Sequence, residues 1–79
     1  MDVNVLRKLR SSEPFKPFRI TMRDGRELAV ERPSVVAISP RGGTVIYAAR
    51  RGGFEFLATS QITNAVVDEQ MQIMGGFAL

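Results

Sequence analysis

The sequence predicts a mainly β domain with an N-terminal α-helix, followed by five or six short antiparallel strands curled into a small barrel. Three observations predict it. Apolar residues between positions 18 and 67 fall in short runs, several of them alternating with polar residues. Turn signals at Asp24-Gly25, Arg41-Gly42-Gly43 and Arg51-Gly52-Gly53 separate those runs at regular intervals. Short strands joined by tight turns favour closure, which removes exposed edges. The 79 residues read as a single domain, 1–79.

Asp2 is placed to N-cap a helix over about residues 3–11, with Val5, Leu6 and Leu9 as its apolar stripe. Arg7, Lys8 and Arg10 lie towards its C-terminus, where cations suit the helix dipole. So short a helix is marginal alone and must dock on something. Pro14 ends it. Pro14-Phe15-Lys16-Pro17-Phe18 is a stiff extended lead-in, because each proline fixes its own φ and restricts the residue before it. Phe15 and Phe18 read as core anchors beneath the helix rather than as a motif for an aromatic groove.

From Phe18 the period is two: Phe18, Ile20 and Met22 face one way, and Arg19, Thr21 and Arg23 the other. Asp24-Gly25 predicts a type I′ hairpin into a strand at Arg26–Arg32, with Leu28 and Val30 inward. Pro33-Ser34 breaks that strand. Further strands follow at Val35–Ser39, Thr44–Arg50, Phe54–Ala58 and Ile62–Val67, with Thr59-Ser60-Gln61 interrupting before the last. The tail, residues 68–79, is apolar: Met71, Met74, Phe77 and Leu79, with Ile73, offer adaptable surface for a neighbouring subunit or for the chain's own barrel.

Composition excludes several chemistries. Hydrophobic residues make up 44% and charged residues 24%, which is globular rather than disordered. With no Cys and no His, the chain has no disulfide, no imidazole or thiolate metal site and no Ser-His or Cys-His catalysis. No carboxylate pair is singled out by spacing, and no Gly-rich loop precedes a helix. Asp68-Glu69 falls far short of a calcium loop. The expectation is a non-enzyme with no cofactor and no metal. No apolar run is long enough for a membrane helix, so no membrane partner is expected, and the lack of Cys is compatible with the cytoplasm.

Charge is uneven. Residues 1–53 carry all eleven Lys and Arg, nine of them Arg, while residues 54–79 carry only Glu55, Asp68 and Glu69. Strand alternation gathers Lys16, Arg19, Arg32, Arg50 and Arg51 near one rim, opposed mainly by Glu31, and Arg23, Arg26 and Arg41 near the other, beside Asp24. Five bases on one rim could hold the phosphates of RNA or another polyanion. Against this stands a simply solvated surface, since nucleic-acid modules tend to be more basic. The two Arg-Gly-Gly triplets read as turn chemistry, Gly supplying positive φ, and they sit at opposite ends of the strand between them.

The order of elements resembles the five- to six-stranded SH3/Sm-like barrel, and within it the Sm-like family's bacterial RNA-chaperone branch, Hfq. A short helix leads into a strand with an Asp-Gly turn, Phe18–Gly25, and a second strand follows at Arg26–Arg32. Near the end, Phe54–Val67 is similar to that family's strand, tight turn and Ile-containing strand. The resemblance implies a small barrel, RNA binding and ring assembly. Where the family carries an aromatic, a Lys and a His for RNA, this chain has Ala58, Thr59 and Ser60, which offer neither a stacking ring nor a positive charge. The Pro-Phe-x-Pro-Phe segment with Asp24-Gly25-Arg26 also resembles a group of small bacterial proteins. Two functions follow as expectations: a binding module that takes nucleic acid on its basic rim, or a homo-oligomeric protein-interaction module with no nucleic-acid role. A chain this small, without disulfide or metal, favours oligomerisation in either case.

Overall fold

A computed structural model describes residues 1–68. It contains α1 (Val3–Ser11), β1 (Phe18–Met22), β2 (Glu27–Val30), a 3₁₀ turn at Pro33–Val35, β3 (Val36–Ile38), β4 (Thr44–Ala48), β5 (Phe54–Ala58), a second 3₁₀ turn at Thr59–Gln61, and β6 (Ile62–Val67). The strands form two three-stranded antiparallel sheets, ordered β2-β1-β6 and β3-β4-β5. The domain is thus mainly β with one N-terminal helix. Among the described residues the hydrogen-bonded ladders are two separate sheets rather than one continuous ring.

Both sheets and the helix meet in one core: Leu6 from α1, Phe18, Ile20 and Met22 from β1, Val30, Val36, Val45 and Leu57 from the following strands, and Ile62 and Ala65 from β6. The period-two face of β1 is therefore the core face, as its sequence pattern requires. Phe15 is half-buried, its ring centroid 5.9 Å from that of Phe18.

The helix departs from the predicted stripe. Asp2 Oδ1 accepts from the Asn4 N–H at 2.9 Å, so the N-cap forms. Leu6 is buried and Leu9 packs against the core, but Val5 is exposed; Met1 joins the core instead. Val3 lies over Gly42, whose φ is +78°, and a Cβ built there would stand 2.8 Å from a Val3 methyl. Glycine at 42 thus serves both the turn and the docking of the helix.

The first hairpin also differs from expectation. A type I′ turn would put Asp24 at positive φ, yet no non-glycine residue among those described has one. The Met22 N–H donates to the Arg26 carbonyl at 2.8 Å and the Gly25 N–H to the Met22 carbonyl at 3.0 Å. Gly25 alone, at φ +94°, takes the left-handed conformation. This is the three-residue connection with glycine last, and Asp24 is free to accept the Arg26 N–H at Oδ1 (3.0 Å). The expected strand at Arg26–Arg32 narrows to Glu27–Val30, because Pro33 starts a 3₁₀ turn rather than a loop.

Candidate functional site

The rim bases divide into two groups. Arg19, on the outer face of β1, reaches Asp68 Oδ2 at 3.0 Å and Glu27 Oε1 at 3.4 Å. The hydrogen bond to Asp68, then its charge, raises the guanidinium pKa above its ordinary value. Lys16 is exposed on the lead-in to that strand. Arg32 and Arg50 line a cleft of about 250 Å³ with Glu31, Ala29, Val35 and Tyr47. Arg50 pairs with Glu31 across it. Arg51 is exposed in the turn that follows. Carboxylates therefore sit beside two of the five predicted phosphate-binding residues.

At the opposite end Arg26 bridges Asp24 Oδ2 at 3.1 Å and Glu55 Oε2 at 2.7 Å, tying the first hairpin to β5. The Arg26 guanidinium is raised above its ordinary value, chiefly by the hydrogen bond to Glu55. Asp24 is held below its usual value, chiefly by the Arg26 backbone N–H. Arg23 Nε donates to the Ser60 carbonyl at 2.9 Å. Thr59, one of the positions where the Sm-like resemblance would need an RNA-binding residue, is buried; its hydroxyl donates to the Gly42 carbonyl at 2.6 Å. That side chain holds a turn and does not face a ligand. Met71, Met74, Phe77 and Leu79 lie outside the described residues.

Sequence reasoning missed the exposed apolar face. Phe54 and Phe56 project from β5 with 73% and 72% of their surface exposed. Phe54-Glu55-Phe56-Leu57 carries apolar residues on both faces, and Leu57 is the buried residue of β5. The turn decides this. The Ala49 N–H donates to the Gly53 carbonyl at 3.1 Å, which sets Ala48 opposite Phe54 and Val45 opposite Leu57. Since Val45 is buried, Leu57 is inward and both phenylalanines are outward. The outer face of β3-β4-β5 then reads Ala37, Ile46 and Phe56 in one cross-strand row, flanked by Ala48 with Phe54 and Thr44 with Ala58. It holds no charge.

The edge of β5 is open as well. Hydrogen-bonded pairs recur at every second residue of an antiparallel ladder. With Ala49 bonded to Gly53 and Thr59 to Gly43, the bonded pairs are Val45 with Leu57 and Tyr47 with Glu55. The N–H groups of Phe54, Phe56 and Ala58 and the carbonyls of Phe54 and Phe56 thus point away from β4. No described residue hydrogen-bonds to them. A cleft of about 330 Å³ lies alongside, lined by Phe56, Ala58, Gln61, Met22 and Arg26 among others.

The other edge of the same sheet is partly covered. Arg10 Nε donates to the Val36 carbonyl at 2.7 Å, and Arg7 Nη2 to the carbonyls of Ser39 and Pro40 at 3.3 and 3.1 Å. On the first sheet, the Tyr47 hydroxyl donates to the Ala29 carbonyl of β2 at 2.9 Å. Among the described residues there is no cluster of three metal-ligating side chains, and no helix is long and apolar enough to cross a membrane.

Comparison with models of known protein families, with curated proteins and with solved structures finds no match for this chain.

Proposed function

We propose that this chain is a non-enzymatic protein-interaction module that associates with copies of itself, its two sheets being the halves of an SH3/Sm-like barrel. The observation that carries this reading is β5, whose unbonded main-chain groups and two exposed phenylalanines lie side by side on an uncharged face. An open edge strand with exposed apolar side chains is the structural feature that β-pairing between chains uses, and soluble domains otherwise blunt such edges. Contiguous apolar surface of this kind marks an interaction site.

A nucleic-acid role is the second reading. It is favoured by Tyr47, which lines one cleft with Arg32 and Arg50 and so puts a ring beside two guanidinium groups. The carboxylate of Glu31 in that cleft weighs against it.

Light scattering separates the two. The parent is expected to show a mass above that of one chain that falls on dilution. Phe54→Lys/Phe56→Lys should hold the single-chain mass at the same concentrations with unchanged circular dichroism. A parent that stays single alone but gains mass with a single-stranded RNA of about 20 nucleotides, an effect absent from Arg32→Ala/Arg50→Ala/Arg51→Ala, would support the second reading in its place.

A further inference from the structure

Resting on the association reading above, we propose that the occupant of the β5 edge is β5 of a second copy, paired antiparallel about a two-fold axis through Phe56. The strand is self-complementary in this register and in no neighbouring one. Centring on Phe56 sets Phe56 opposite itself, Phe54 opposite Ala58 and Glu55 opposite Leu57, so Phe54–Ala58 overlaps its full length. The outward groups then form four bonds: two between the Phe56 residues, and one from each Ala58 N–H to the Phe54 carbonyl of the other copy. Shifting the axis to Glu55 would place the two glutamates directly opposite, where like charges destabilise. Shifting it to Leu57 would carry Phe54 opposite Ser60, beyond the strand and in the 3₁₀ turn.

The outer face matches this symmetry. Phe54, Phe56 and Ala58 of one copy meet Ala58, Phe56 and Phe54 of the other on a single uncharged surface. The result is a six-stranded sheet, β3-β4-β5 continued by β5-β4-β3 of the second copy. Its two ends are β3 strands of three residues, each with its Val36 carbonyl already taken by Arg10 of α1. A two-fold pairing uses the β5 edge of both copies at once, so this interface closes at two chains. Four phenylalanine rings cover on the order of 600 Å². That is less than half of the roughly 1,600 Å² of a standard stable interface, so the dimer should dissociate on dilution.

The chain has no cysteine, so one introduced thiol reports one position. Opposed Cα atoms in a hydrogen-bonded antiparallel pair stand about 5.5 Å apart, within reach of a disulfide. At concentrations where the parent has twice the single-chain mass, mild oxidation of Phe56→Cys is expected to link most chains into dimers. A second arm keeps Phe56: an equimolar mixture of Phe54→Cys and Ala58→Cys should link, while each alone should link about tenfold less, its own thiols lying beyond bonding reach. A dimeric parent in which neither arm links, with circular dichroism unchanged, overturns the two-fold register but leaves self-association standing. A parent of single-chain mass even at about 1 mM overturns the register and the association reading together.

Discussion

On the outer face of β2-β1-β6, Arg19 lies between Glu27 and Asp68, with Thr21 and Asn64 beside it. On the outer face of β3-β4-β5, the row is Ala37, Ile46 and Phe56. Both sheets direct a similar apolar set inward, so burial of the core does not require this difference. The first face is mostly polar: the charge of Arg19 is paired, Thr21 and Asn64 are polar, and among the described residues the one exposed large apolar side chain on it is Val66, opposite Arg19. The second places two of the chain's five phenylalanines in solvent, beside a strand edge left unbonded by every described residue. Within that second sheet, arginines of α1 take the carbonyls of Val36, Ser39 and Pro40 along and beyond β3, while among the described residues β5 has no such contact. An unbonded edge and two exposed phenylalanines coincide at β5, which is the reason to read it as an interface.

Two phenylalanines, one from each sheet, give the largest test of this contrast. Phe18 is 1% exposed and Phe56 is 72% exposed. Phe18→Ala should destabilise the fold by about 3–5 kcal/mol. In a domain this small that lowers the melting temperature by roughly 15 °C or more, if the variant folds at all. Phe56→Lys should change the stability of the single chain by no more than about 0.5 kcal/mol, measured in dilute solution by thermal melting. A large loss at Phe56 in dilute solution would mean that the ring supports its own chain's fold, and the two faces would no longer differ in kind.

The smallest expected effect belongs to the charged side of the molecule. Asp24 sits below its usual pKa because it accepts from the Arg26 backbone N–H and lies beside the Arg26 guanidinium. A carboxylate depressed in the folded state adds stability above its unfolded pKa and loses it as pH falls through the folded value. Melting temperature should thus decline as pH drops through and below the ordinary carboxylate range. Asp24→Ala should remove a small part of that decline, Asp24 being an exposed turn residue. Identical acid limbs for parent and variant would show that the turn carboxylate contributes nothing.

Much of this fold was legible in the sequence. Asp2 as cap, the helix at residues 3–11, the core face of β1, β5 at Phe54–Ala58 and β6 at Ile62–Val67 follow from capping, periodicity and turn residues, all of them local signals. The hairpin type was misread because Asp-Gly fits both a two-residue turn and the last two positions of a three-residue one. The ladder bond between Met22 and Arg26 chooses between them. The site was less legible for the same reason. Phe54-Glu55-Phe56-Leu57 carries apolar residues on both faces, so period alone leaves its direction open. The register imposed by the Arg50-Arg51-Gly52 turn settles it. Likewise Arg7 and Arg10 suggested only favourable charge at a helix end, whereas long-range docking makes them caps on β3 and its turn.

Residue-resolved amide hydrogen exchange, compared at low and high protein concentration, tests the open edge most directly. Glu55 and Leu57 donate to β4 and should be protected at both concentrations. Phe56 and Ala58 should exchange freely when the chain is dilute and slow by about tenfold or more when it is concentrated, as their N–H groups acquire partners in the second copy. Equal, rapid exchange of these two amides at both concentrations, while Glu55 and Leu57 remain protected, would contradict the account: β5 would be an edge that the chain leaves open and does not use to associate.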